Sequence, residues 1–99
     1  MPLHHVVMFK IAGGSDGATA FDPHLQTLLA TAPGVLSASV ESDLDLRPGN
    51  ARSFQRLMHT TFADEASWRA YLDSAPHQEF LAAVKDLIEG LGGIQYMAE

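Results

Sequence analysis

The chain has no cysteine. That excludes a disulfide framework, a thiolate nucleophile and a thiolate metal site, and it fits a reducing compartment. Basic residues are also scarce: six Lys and Arg stand against twelve Asp and Glu, for a formal net charge of −6. Phosphate backbones and anionic membrane surfaces are held by clustered cations, so six scattered ones disfavour nucleic acid and membrane as partners. No apolar run approaches the ~18 residues of a membrane span. The opening Met1-Pro2-Leu3-His4-His5 lacks a basic region followed by an apolar run and a small-residue cleavage site, so no signal peptide is expected and a cytoplasmic location follows by elimination. Internal repeats, low-complexity segments and inter-domain linkers are absent as well. Ninety-nine residues, 46% of them hydrophobic, then read as a single domain over 1–99.

What is present organises itself around short apolar runs. Leu3 to Ile11 reads as a strand, with His5, Val7, Phe9 and Ile11 on one face and His4, Val6 and Met8 on the other. Large groups on both faces indicate burial on both sides. The glycine-rich stretch Gly13 to Gly17 lacks phosphate-loop spacing and reads as a flexible connection. Asp22 is positioned to cap a short helix with Pro23 at its first position, and Leu25, Leu28, Leu29 and Ala32 repeat at helical spacing before Pro33-Gly34 stops it. Val35 to Ser42 alternates as a half-exposed strand. Arg47-Pro48-Gly49-Asn50 marks a turn in a loop, and Phe54 to Phe62 reads as a third strand.

Asp64 offers a cap for a helix carrying Trp68, Tyr71 and Leu72 on its inward side. Ser74-Ala75-Pro76 interrupts it. A further helix is expected from His77 to Glu89, stopped by Gly90, Gly92 and Gly93, with a last strand from Ile94 to Ala98. The order β-α-β-β-α-α-β is the ferredoxin-like pattern, an α+β fold with helices on one face of a four-stranded antiparallel sheet. The uncovered face carries apolar groups from the first strand, and packing two such sheets together in a homodimer would bury them.

Three residues could carry chemistry. His77 lies three before Phe80, four before Leu81 and seven before Val84, so its ring points inward. It sits in the first turn of its helix, where the dipole opposes protonation and leaves a neutral imidazole to accept a proton near pH 7. Tyr71 could bind a carbonyl or enolate oxygen through its hydroxyl, and His5 could orient a substrate or relay a proton. The alternative for all three is structural: a histidine bonded to backbone at a helix start, a tyrosine in the core and a satisfied strand histidine. His4, His24 and His59 read as surface or interface residues. The five histidines form no i, i+4 pair and have no acidic neighbour at ligand spacing, so neither a metal nor a cofactor is expected.

The segments His5-Val6-Val7-Met8-Phe9-Lys10, Thr61-Phe62, Ala70-Tyr71-Leu72 and Pro76-His77-Gln78-Glu79-Phe80 resemble the stress-responsive A/B-barrel (Dabb) family, element for element. The resemblance implies a dimeric α+β barrel of two packed sheets, with a pocket for a small apolar ligand between helices and sheet. One branch of the family, similar to olivetolic acid cyclase, closes linear polyketides by intramolecular aldol condensation without a cofactor. The resemblance places the working residues of that branch on His5, Tyr71 and His77. The third strand departs from the common pattern at Phe54-Gln55-Arg56, and the first helix presents Leu25, Leu28 and Leu29 where a cyclase pocket carries aromatic residues.

Overall fold

Strand β1 (Leu3–Ile11) lies in the middle of the sheet, and the rest of the chain folds against it. The computed structural model describes all 99 residues, apart from the side chain of Ser15. Helix α1 (Gly14–Thr31) follows, then β2 (Ser37–Ser42), β3 (Arg56–Phe62), α2 (Glu65–Asp73), α3 (Ala75–Val84) and β4 (Ile88–Met97). The four strands form one antiparallel sheet in the order β2-β3-β1-β4, as the ferredoxin-like pattern requires. Among the described residues, no helix is long and apolar enough to cross a membrane.

Alternation along β1 is realised as expected. Leu3, His5, Phe9 and Ile11 are buried toward the helices, and His4, Val6 and Met8 face the other way. The core lies between sheet and helices. Phe9 of β1, Phe21 of α1 and Phe80 of α3 meet there with ring centroids 4.9 to 6.1 Å apart. Met58, Phe62, Leu25 and Val84 fill the space around them.

Two elements differ from the sequence expectation. The first helix begins at Gly14, two turns before Pro23, so Gly13 to Gly17 is not a flexible connection. Gly13 and Gly14 adopt positive φ (81° and 59°), which lets the chain turn from strand to helix within two residues. The early start is driven by packing: Ala18 and Phe21 extend the buried stripe of Leu25 and Leu28 back along the helix. Asp22 is therefore not a cap. Its carboxylate instead takes a two-pronged ion pair from Arg56 of β3, at 2.9 and 3.0 Å.

The third helix ends at Val84, and β4 starts at Ile88 rather than Ile94. Ile88 and Gly90 pair with Ile11 and Lys10, across a register shift between Lys10 and Ile11. Gly90, Gly92 and Gly93 are consequently strand residues and not a helix stop. A Cβ on Gly93 would stand 3.0 Å from the Val6 carbonyl oxygen, so close approach of the two strands accounts for that glycine.

The helices leave two surfaces bare. On the outer sheet face, Met8, Ile94 and Tyr96 are exposed beside Val6 and Leu57. His4 and His59 are bonded there, Nδ1 to Nε2 at 2.8 Å, and Tyr96 stacks on His4 at 4.8 Å. On the inner face, Leu91 and Met97 of β4 are exposed, because the helices sit over β1 and β3.

Candidate functional site

Helix α2 is set by its cap: the Asp64 carboxylate accepts from the Ser67 backbone N–H at 2.8 Å. That places Trp68, Tyr71 and Leu72 on the sheet side. Ser74 then serves both helices. Its backbone N–H and hydroxyl donate to the Tyr71 carbonyl at 3.1 and 2.6 Å, and its Oγ accepts from the His77 backbone N–H at 3.4 Å. Pro76 occupies the first turn of α3, where a missing N–H is harmless. This one-residue junction turns the chain so that Tyr71 and His77, six residues apart, stand with ring centroids 4.9 Å apart.

His5 completes the group from below. It is 6% exposed, and its ring lies 6.0 Å from Tyr71, 5.8 Å from Trp68 and 6.4 Å from Phe62. The three residues singled out from sequence thus come together from β1, α2 and α3. His4 and His59 lie on the opposite sheet face, and His24 is exposed on α1. Leu81, expected to point inward with His77, is instead exposed; Phe80 and Val84 carry the buried side of α3.

Burial governs the protonation of the cluster. It holds His5 down to about 4, with the repulsion of a nearby charged His77 as a second cause. Burial also lowers His77, opposed in part by the Leu72 backbone carbonyl near its ring, and pushes the Tyr71 hydroxyl up to about 12. Near pH 7 the site therefore holds two neutral imidazoles and a protonated phenol. Desolvation, rather than the helix dipole alone, keeps His77 neutral.

Two neighbours were not evident from sequence as parts of this site. Trp68 is legible only as an inward residue, yet its Nε1 is buried without a hydrogen-bond partner, as is His77 Nδ1. Gln95 has no sequence signal at all; its side-chain amide meets His5 Nδ1 at 2.9 Å because the β1–β4 register sets the two residues opposite each other. Three clefts lie elsewhere: about 240 Å³ beside Lys10 and Gln55, about 400 Å³ over Met8, Phe54 and Leu57, and about 140 Å³ between His24 and Phe80. None of these three is lined by His5, Tyr71 or His77. Among the described residues, no cluster of three or more His, Asp or Glu could hold a metal ion.

The profile of the Stress responsive A/B Barrel Domain family, Dabb, matches residues 3–97. The chain belongs to the Dabb family. Solved structures agree on the fold of this Dabb chain. A dimeric ferredoxin-like protein of unknown function from Thermobifida fusca superposes with a TM-score of 0.80 at 22% identity, over 99% of this chain and 92% of that one. A Dabb protein from Mesorhizobium loti gives 0.80 at 20% identity, over 99% and 97%. A hydroxynitrile lyase from Passiflora edulis gives 0.77 at 18% identity, over 99% and 94%. No curated protein matches the Dabb chain in sequence.

Proposed function

We propose that this Dabb protein is a homodimer joined through the outer sheet face, and that each protomer binds a small apolar carbonyl compound at the His5–Tyr71–His77 cluster. The observation that carries the ligand reading is the pair of buried, unpartnered atoms in that cluster, Trp68 Nε1 and His77 Nδ1. Folded proteins rarely leave buried polar atoms unpaired, and polar groups of a bound ligand would satisfy them. The surrounding rings of Phe62, Tyr71 and Trp68 suit an apolar body around that group. Acetophenone is a suitable probe. Its titration into the protein, followed by NMR, is expected to shift the signals of His5, Tyr71 and His77. Shifts confined to other surfaces, or none at all, would sink the reading.

A second reading is favoured by the neutral state of the two histidines. With His77 taking a proton and Tyr71 donating to the developing oxyanion, the cluster has the parts of a cofactor-independent aldol cyclase acting on a polyketide-like substrate. The lyase among the structural neighbours offers an analogy of fold, which does not carry activity with it. If the cyclase reading holds, His77→Ala lowers turnover of a cyclisable polyketide by about 10²-fold or more while assembly is unchanged. Full turnover in that variant removes His77 as the base.

The dimer is supported by the exposed apolar strip of Met8, Ile94 and Tyr96, and by the dimeric state of structural neighbours. Light scattering is expected to give about 21 kDa, twice the 10.7 kDa chain. Ile94 is 59% exposed in the single chain, so Ile94→Asp is expected to shift the mass to that of the monomer without unfolding it. A wild-type monomer, or an unaffected Ile94→Asp dimer, contradicts this interface.

A further inference from the structure

An imidazole can either give or take a proton, and His5, unlike His77, has a side-chain partner on a ring nitrogen. The contact with Gln95 bears on that choice. The side-chain nitrogen of Gln95 lies 2.9 Å from His5 Nδ1, and an amide nitrogen only donates. The acceptor Nδ1 therefore carries no proton, and in a neutral imidazole the proton then sits on Nε2. The ring that carries it lies 5.8 Å from Trp68 and 6.0 Å from Tyr71, centroid to centroid.

We infer that Gln95 is the positioning residue of the site, holding His5 in the tautomer that can only donate toward a bound ligand. The inference rests on the ligand reading above and sharpens it. His5 then offers an N–H to a carbonyl oxygen, and His77 is the imidazole of the cluster left to take a proton. The burial that keeps His5 neutral near pH 7 maintains this division. Gln95 is suited to the task by its place in the fold. It stands directly opposite His5 in the β1–β4 register, on the part of the inner sheet face that the helices leave uncovered. Its own side chain is exposed, so exchanging it removes no core packing.

Nitrogen-15 NMR of the imidazoles in the protein at pH 7 tests the assignment directly, because each tautomer has its own shift pattern. Wild-type His5 is expected as the Nε2–H form. Gln95→Leu is expected to give a mixture of tautomers, and Gln95→Glu, whose carboxylate accepts from Nδ1–H, to move the proton to Nδ1. Loss of the fixed donor in Gln95→Leu is expected to weaken acetophenone binding about tenfold, the effect of one hydrogen bond. A wild-type His5 protonated at Nδ1, a Gln95→Leu spectrum identical to wild type, or undiminished acetophenone affinity in a variant whose tautomer has changed would each overturn the inference. Should acetophenone fail to bind the wild-type protein, the ligand reading falls, and the tautomer pattern alone decides what Gln95 does.

Discussion

Between pH 7 and pH 4 the folded protein is expected to lose about 3 kcal/mol of stability through His5 alone. In the unfolded chain this histidine titrates at its ordinary value of 6.5, whereas burial holds it at about 4 in the fold. Above 6.5 it is neutral in both states and contributes nothing. As the pH falls from 6.5 to 4 the unfolded chain takes up a proton that the folded one refuses, and stability drops by about 1.4 kcal/mol per pH unit. Below 4 both states are protonated and the effect levels off. His77 is shifted in the same direction and adds to the loss. Asp64, whose capping bond to Ser67 lowers its carboxyl below 3.8, acts in a separate window: its contribution is present above 3.8 and is lost only at more acid pH. Urea unfolding at pH 7 and pH 4, at one protein concentration, measures the difference. His5→Leu is expected to remove most of it. An equal acid loss in wild type and His5→Leu would show that His5 is not the buried titrating group.

Phe21→Ala is expected to destabilise the protein by about 3–5 kcal/mol. Phe21 is fully buried, and its ring touches both Phe9 of β1 and Phe80 of α3, at 4.9 and 5.9 Å. Truncation removes the transfer free energy of the ring and leaves a cavity where β1, α1 and α3 meet. Each aromatic pair adds about 0.5–1.5 kcal/mol beyond simple burial. A domain of this size has about 5–15 kcal/mol in all, so the variant is expected to retain a marginal fold with a melting temperature lower by about 15 °C or more. Leu44→Ala is the control. Leu44 is 79% exposed in the loop before β3 and is expected to change stability by less than about 0.5 kcal/mol. Similar losses in the two variants would mean that the Phe9–Phe21–Phe80 cluster is not the centre of the core.

The same cluster explains one difference between sequence and structure. Asp22-Pro23 carries a genuine local signal for a helix start, because aspartate caps well and proline suits the first turn. The signal is overridden by the burial of Ala18 and Phe21, which extends α1 back to Gly14. Asp22, freed from capping, pairs with Arg56 across 34 residues. A second difference has the same origin. Leu87, Ile88 and Leu91 fit a helical stripe as well as a strand, and only pairing with Phe9 to Ile11 decides in favour of β4.

Element order, the inward face of β1 and the closeness of Tyr71 to His77 are legible in the sequence. Those features depend on contacts within a turn or two: the caps Asp64 and Ser74, the proline after the break, and the alternation along one strand. Tertiary structure alone decided the rest. Whether His5 lies beside Tyr71, and whether Gln95 lies beside His5, depends on strand register and on where α2 settles over the sheet. His5 and Gln95 are 90 residues apart, and their meeting is fixed by backbone pairing along the whole of β1 and β4 rather than by any property of the two side chains.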